Sequence, residues 1–232
     1  LTDASLLRAN MHEMATLFGP SASDAETIRM RSYHDPKPAP GGGFIRTPCV
    51  SDRAYLERSV DMRAEAIRNC QKFSTRHYTL GSELALTHGE REVCFGPHSV
   101  RAFRRYLKDE YGNIDRLNEE YGSKHADWEQ IKPVPYAHAV ETDQIPLWID
   151  FRRHMDREWA QQYALIKERA TEFLPEIKIG SDASNDPGHS PRLGGLGGDD
   201  LWQLTQNMSL SGPYFWPLQL DCARDFADPG TL

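Results

Sequence analysis

The chain has 232 residues, 39% of them hydrophobic and 26% charged, which suits one sizeable folded domain and excludes an intrinsically disordered protein. The formal net charge of −7 and the lack of a basic stripe with interleaved aromatic residues argue against a nucleic-acid partner. No apolar run approaches the roughly 20 residues that cross a bilayer, so we expect no membrane segment and a small neutral or polar substrate.

The N-terminal part of the chain combines a helical pattern with an irregular stretch. Apolar residues recur at intervals of three and four between Thr2 and Phe18, which predicts a helix there. From Gly19 to Pro48 the chain is rich in Pro and Gly, and we interpret it as an irregular loop that leads to a short extended piece at Phe44 to Thr47. Because the chain begins with Leu1, we expect it to be part of a longer protein.

Five further helices are predicted from apolar periodicity and from residues that start and stop helices. Ser51 or Asp52 supplies an N-cap for the first, whereas Pro97 and Gly112 bound the second. The longest pattern carries large apolar residues on one face, typical of a helix packed on a core. The predicted ranges are 52 to about 73, 97 to 111, 113 to 118, 143 to 173 and 199 to 206.

Three short strands are predicted between these helices, at His77 to Leu80, Ile177 to Gly180 and Met208 to Ser211. Strands that alternate with helices indicate parallel βα units. We therefore predict one α/β domain over the whole chain: a partial TIM (β/α)8 barrel with long intervening helices and an irregular loop at about 19–48. A doubly wound sheet is the competing fold, but the glycines at Gly194 to Gly198 follow no strand as a dinucleotide-binding turn requires.

Glu83 is the leading candidate for a catalytic residue. Gly81 and Ser82 allow a sharp turn after the strand, so that Glu83 emerges at the strand's carboxyl end, where barrel enzymes carry out their chemistry. A carboxyl group held partly out of water there has a raised pKa and can act as a general acid. The structural alternative is that Glu83 caps the next turn or pairs with Arg91 on the surface.

Three other residues follow predicted strands. Asp182 is the other carboxylate at a strand end, and it either pairs with Glu83 in an inverting arrangement or tightens a turn. Tyr214 and Trp216 follow the last strand, where aromatic rings either stack on the apolar face of a sugar or pack into the core. We take all three as candidate substrate-binding residues.

The four cysteines, Cys49, Cys70, Cys94 and Cys222, are scattered and form no CxxC pair. The spacing indicates neither a zinc knuckle nor a dense disulfide framework. We expect free thiols in a reducing compartment, which favours the cytoplasm, although one disulfide bridge remains an alternative.

Three segments resemble glycoside hydrolase family 42, the β-galactosidases. The first runs from Cys94 to Val134 and contains AFRRYL, IDRLNEEYG and DWEQI; the second is IPLWIDFRRHMDREWAQQY from Ile145 to Tyr163; the third is DDLWQLTQNMSLSGPYFW from Asp199 to Trp216. The resemblance covers most of the chain from Pro48 to Trp216. It implies that Glu83 is the general acid/base at the end of the fourth barrel strand.

The resemblance also implies differences from the family. Ser82 stands where family members commonly have the Asn that hydrogen-bonds the sugar 2-hydroxyl. Cys94 matches one cysteine of the family's metal cluster, but Gly96 and Ser99 occupy positions of further ligands, so we expect no structural zinc and no other cofactor. The family's nucleophile is a Glu at the end of the seventh strand; we count the last strand here as the sixth of the barrel and expect that Glu beyond Leu232.

The sequence thus predicts part of a retaining exo-glycosidase that acts on terminal β-D-galactosides, with the fragment alone inactive. The resemblance further implies a homotrimer of the full-length protein. Related activities on β-glucosides, α-arabinosides or marine galactans stay open, because the fold and the acid/base do not fix the sugar. The alternative from another class is a barrel relic without catalysis that binds carbohydrate or a partner protein.

Overall fold

A computed structural model of the chain describes residues 14–16, 36–71, 77–82, 85–87, 91–182, 198, 200–212, 221 and 224–227. Six strands lie in these ranges, and four of them form one parallel sheet. The strands are β1 (Met14–Thr16), β2 (Lys37–Pro38), β3 (Phe44–Ile45), β4 (His77–Ser82), β5 (Lys178–Asp182) and β6 (Leu210–Gly212). The sheet has the order β1-β4-β5-β6 and the other two strands pair with each other, which confirms parallel α/β architecture.

All but one of the main helices in the described residues begin and end within a few residues of the predicted positions. They are α1 (Arg53–Cys70), α2 (Pro97–Tyr111), α3 (Ile114–Tyr121), α4 (Tyr136–Glu141), α5 (Ile145–Thr171) and α6 (Leu201–Asn207). The Asp52 carboxylate accepts hydrogen bonds from the backbone N–H groups of Ala54 and Tyr55, which makes Asp52 the N-cap. Pro97 lies in the first turn of α2 and Gly112 caps its end. These local signals explain why the helix bounds were predictable.

Helix α5 is the centre of the core. Twelve of its residues are buried, including Phe151, Trp159, Tyr163, Ile166 and Ala170, as its periodicity predicts. It packs against α1, α6 and strand β5, and rings from α2 join it. On α1 the apolar residue Met62 is 39% exposed, because the buried face of that helix follows Tyr55, Ser59, Val60, Ala64 and Ile67.

The predicted helix over Thr2 to Phe18 is wrong at Met14–Thr16, which form strand β1. These residues pair in parallel with His77 to Thr79 of β4. Spacing of three and four residues is ambiguous where apolar residues are also consecutive, because a short apolar run fits a buried strand equally well. Pairing with a distant strand decides the outcome here, and the rest of the predicted helix lies outside the described residues.

The stretch predicted as an irregular loop contains an antiparallel hairpin. Lys37 and Pro38 of β2 pair with Ile45 and Phe44 of β3. Glycines at positions 41–43 all have positive φ, which lets the chain reverse between the two strands. Helix α4 has no counterpart among the predicted helices. None of the described helices has the length and apolar content needed to cross a membrane.

Candidate functional site

The carboxyl ends of three neighbouring strands meet at one edge of the sheet. Ser82 of β4 pairs in register with Asp182 of β5, and Asp182 pairs with Gly212 of β6. Neighbouring strands lie about 4.8 Å apart, so the segments that leave these strands start side by side. This edge is where ligands bind in open and closed parallel α/β folds. The backbone thus brings together the strand ends from which all five predicted site residues come.

The described residues differ in what they show of each predicted site residue. Ser82 and Asp182 are described through their backbones, as the last residues of β4 and β5. Glu83 directly follows Ser82, whereas Tyr214 and Trp216 follow Gly212 by two and four positions; all three lie outside the described residues. Their roles in catalysis and sugar binding therefore stay predictions.

Arg46 lies beside the segment that follows β4 and was missed by the sequence analysis. Its side chain is almost fully buried, with 1% of its surface exposed. Its Nε donates to the Leu86 carbonyl oxygen at 3.0 Å and its Nη1 donates to the Pro48 carbonyl oxygen at 2.7 Å. The available signal was an Arg inside the otherwise apolar run from Phe44 to Val50.

Two segments that follow different strands converge on Trp159. The indole ring of Trp159 is buried, and the Arg46 guanidinium lies 5.7 Å from its centroid. Gly198, in the stretch between β5 and α6, also lies against this ring; a Cβ placed there would be 2.8 Å from Trp159 Cδ1 and 3.1 Å from Leu86 Cβ. Leu86 itself is three positions after Glu83. Helix α5 therefore supplies a rigid floor on which both segments rest.

The hairpin of β2 and β3 also packs on the segment after β4. The Phe44 N–H donates to the Glu92 carbonyl at 2.9 Å, and the Phe95 N–H donates to the Phe44 carbonyl at 2.9 Å. A side chain at Gly43 would collide with the ring of Phe95, so only glycine fits this close contact. The described part of the predicted irregular loop thus helps to position the residues between β4 and α2.

Cys49 and Cys94 meet at the same place. Their sulfur atoms are 3.7 Å apart, and Ser99 Oγ lies 3.3 Å from Cys49 Sγ. Two thiols and a hydroxyl fall short of the four ligands of a structural zinc site. Throughout the part of the chain that the structure describes, no group of three or more His, Cys, Asp or Glu side chains could hold a metal ion. These two thiols and one hydroxyl therefore do not fit the structural zinc ion that the resemblance to family 42 suggests.

A separate groove of about 470 Å³ lies between α1 and α5. Its described lining comes from helices and from Val50 and Ser51, so it is remote from the strand ends. Burial raises the pKa of Glu158, which lines this groove, and its hydrogen bond with Ser51 acts in the opposite direction. We place the candidate site at the strand edge, since the groove has no strand-end residue in its described lining.

Comparisons with known proteins point to one enzyme family. The model of the family described as Beta-galactosidase, glycoside hydrolase family 42, matches residues 45–188, a span that includes β4, β5 and all residues between them. A β-galactosidase of Geobacillus kaustophilus, bgaB, is 29% identical over 94 residues, which are 38% of this chain and 14% of that protein. Sequence and family model thus point to the same enzymes.

Solved structures share the fold. The β-galactosidase of the Antarctic haloarchaeon Halorubrum lacusprofundi matches with a TM-score of 0.67 and 17% identity, over 93% of this chain and 32% of that one. The β-galactosidase of Bacillus circulans sp. alkalophilus matches with a TM-score of 0.66 and 16% identity, over 92% and 31%. The chain thus spans about a third of the length of these TIM-barrel enzymes. Because the family model covers more than half of the chain, the chain belongs to glycoside hydrolase family 42.

Proposed function

We propose that this chain is the middle part of a (β/α)8 barrel, and that the whole protein is a retaining exo-glycosidase acting on terminal β-D-galactosides. One observation carries the proposal. Ser82 and Asp182 pair in register at the carboxyl edge of a parallel sheet, inside the span matched by the family model, and Glu83 is the next residue after Ser82. A carboxyl group at this position is where a barrel glycosidase needs its proton donor.

Glu83 acts as the general acid/base in this proposal. It protonates the glycosidic oxygen while a second carboxylate attacks the anomeric carbon and forms a covalent glycosyl-enzyme. Glu83, now ionised, then deprotonates the water that hydrolyses this intermediate, and the sugar leaves with its configuration retained. The two carboxyl groups must be about 5 to 5.5 Å apart. We expect the nucleophile at the end of a later barrel strand, beyond Leu232.

The other edge residues bind the sugar in this proposal. Tyr214 and Trp216 follow β6 and offer rings that stack on the apolar face of a galactose unit. Asp182, at the end of β5, accepts hydrogen bonds from sugar hydroxyls, and Ser82 takes the place of the family's amide. Arg46 supports the site by donating a hydrogen bond to the Leu86 carbonyl, three positions after Glu83. These roles make Glu83 the residue that touches the leaving group.

Replacing Glu83 by Gln or Ala in the full-length protein tests the proposal. We expect kcat/KM for lactose, whose leaving group needs protonation, to fall by about 10²–10⁴-fold. The first step with a nitrophenyl galactoside, whose leaving group is acidic, should fall far less. Added azide should restore turnover of that substrate by Glu83→Ala and yield β-galactosyl azide, because the small anion needs no base to attack the intermediate.

Glu120→Gln is the matched control, because Glu120 is an exposed carboxylate on α3. It should leave both activities unchanged. Equal loss on lactose and nitrophenyl galactoside, or no loss at all, removes Glu83 from the proton-transfer role. A full-length protein that binds galactosides but hydrolyses no member of a nitrophenyl glycoside panel supports the alternative, a carbohydrate-binding relic. Size-exclusion chromatography with light scattering tests the predicted homotrimer.

A further inference from the structure

The pair of thiols formed by Cys49 and Cys94 has no role in the proposed hydrolysis. Cys49 precedes the N-cap of α1 by three positions, and Cys94 lies between β4 and α2. Their sulfurs are 3.7 Å apart, whereas a disulfide needs about 2.05 Å, so less than 2 Å of approach closes the bond. The fold thus brings two cysteines that are 45 positions apart in sequence into bonding range.

Polar contacts surround the pair. The backbone nitrogen of Arg46 lies 3.3 Å from Cys94 Sγ, and Ser99 Oγ lies 3.3 Å from Cys49 Sγ. A thiolate is the nucleophilic form of cysteine, and N–H and O–H donors stabilise its charge.

The two cysteines differ in access to solvent. Cys94 is 0% exposed, whereas Cys49 is partly exposed. Cys49 is therefore the more accessible of the two to a small disulfide. A partly exposed cysteine beside a second cysteine is the arrangement of an attacking thiol and its resolving thiol.

We propose that Cys49 and Cys94 are a redox-active dithiol that forms a reversible disulfide with low-molecular-weight disulfides as the oxidant. The Cys49 sulfur, as its thiolate, attacks the small disulfide, which forms a mixed disulfide and releases one small thiol. The Cys94 thiolate then attacks Cys49 Sγ, forms the protein disulfide and releases the second small thiol. In sum, two protein thiols and one small disulfide give one protein disulfide and two small thiols.

The disulfide would fasten two segments next to the candidate site. Cys49 is three positions after Arg46, and Cys94 ends the stretch that starts at Glu83 and passes through Leu86. Oxidation therefore cross-links the segment carrying the buried guanidinium to the segment that follows β4. A bridge that closes a loop of this length restricts the unfolded chain, and we expect Tm to rise by about 5–10 °C. The proposal does not depend on any role of Glu83, because its readout is the state of the sulfurs.

The test is peptide mapping of the wild-type full-length protein after equilibration with oxidised and reduced glutathione. Remaining thiols are alkylated with N-ethylmaleimide, and the protein is digested without reduction. We expect the Cys49 and Cys94 peptides to appear joined, to separate on treatment with dithiothreitol, and to become alkylated afterwards. Chelator is present throughout, so that protection by a bound metal ion is excluded.

Three variants serve as controls. Cys49→Ser and Cys94→Ser should each lose the joined peptide and the rise in Tm. Cys70→Ser should retain both, because Cys70 is at the far end of α1, roughly 27 Å along the helix from its start. The proposal is wrong if both wild-type cysteines stay alkylatable, if they carry only glutathione, or if chelator alone restores their alkylation. The wild-type peptide map decides the question even where a variant fails to fold.

Discussion

The helical layer of α2, α3 and α5 and the strand edge at Ser82 and Asp182 are held together in different ways. In the helical layer one buried carboxylate, Asp150, accepts hydrogen bonds from Tyr111 and Tyr121 hydroxyls, both at 2.6 Å. Burial and the neighbouring Asp150 raise the pKa of Tyr111 to about 12, so both rings stay protonated donors at neutral pH. Direct polar and apolar contacts between side chains hold this layer together.

The strand edge depends instead on backbone pairing between strands and on packing between segments. Ser82 and Asp182 are 100 positions apart and become neighbours through strand register alone. The segment after β4 rests on Arg46, Trp159 and the stretch at Gly198, which come from three other parts of the chain. The helices thus form a stable frame. At the strand edge several segments meet, and a small shift of one of them displaces residues of the candidate site. Substitutions in the two regions should therefore have different effects on stability and on activity.

The largest effect is expected in the helical layer, from Asp150→Ala. Asp150 is 5% exposed, and its loss leaves two tyrosine hydroxyls without their acceptor. We expect the free energy of unfolding to fall by about 3 kcal/mol, measured by urea denaturation. The kcat/KM of the protein that remains folded should not change, because Asp150 acts here through Tyr111 and Tyr121 of α2 and α3 and not through Trp159.

Asp109→Ala is the control, since Asp109 is an exposed carboxylate on α2. It should change the free energy of unfolding by less than about 0.5 kcal/mol. Replacing both Tyr111 and Tyr121 by Phe should remove most of the additional cost of Asp150→Ala, since the hydroxyls would no longer be stranded. If Asp150→Ala lowers the free energy of unfolding by the same amount in the protein with both tyrosines replaced, the two hydrogen bonds are not the source of the stabilisation by Asp150.

The same contrast explains how much of the structure could be predicted. Helices α1, α2, α3 and α5 carry their own signals, such as the Asp52 cap, Pro97, Gly112 and the apolar face through Trp159, and these signals act within a few residues. Strand β1 was mistaken for helix because its identity depends on β4, more than 60 positions away. Arg46 was missed for the same reason, since its partner Leu86 is 40 positions away. Local sequence thus specifies the helices, whereas the pairing of distant strands and the burial of side chains against distant segments specify the strand edge.

A smaller effect is expected at the junction, from Gly198→Ala. Gly198 has φ +84°, and its added Cβ would collide with the buried ring of Trp159. We expect a loss of about 2 kcal/mol in the free energy of unfolding, from backbone strain and overpacking. Unlike Asp150→Ala, it should also lower kcat/KM, because Leu86 lies 3.1 Å from the new atom and three positions after Glu83.

Gly112→Ala separates the effect of backbone strain from the effect of overpacking. Gly112 also has positive φ, at +75°, but nothing lies within 4 Å of a Cβ placed there. Gly112→Ala should lower the free energy of unfolding through backbone strain and should leave kcat/KM unchanged. If Gly198→Ala and Gly112→Ala behave alike in both measurements, the contact with Trp159 and Leu86 does not couple the junction to the site.

The smallest effect is expected at the strand edge itself, from Ser82→Asn. This change restores the residue that family members commonly carry before the acid/base, where an amide can hydrogen-bond the sugar 2-hydroxyl. Such a bond strengthens in the transition state of glycoside hydrolysis, so kcat/KM for a β-galactoside should rise by about tenfold, which is about 1.4 kcal/mol. The free energy of unfolding should hardly change, because Ser82 is the last residue of β4.

Two comparisons make this last prediction specific. Ser82→Asp has nearly the shape of Ser82→Asn but lacks the amide donor, and it should not raise kcat/KM. On a 2-deoxygalactoside the advantage of Ser82→Asn over the wild type should disappear, because the amide then has no hydroxyl to bind. A gain that persists on the 2-deoxy substrate would mean that the amide acts on Glu83 or on the backbone, and the sugar contact at the strand edge would have to be assigned to another residue.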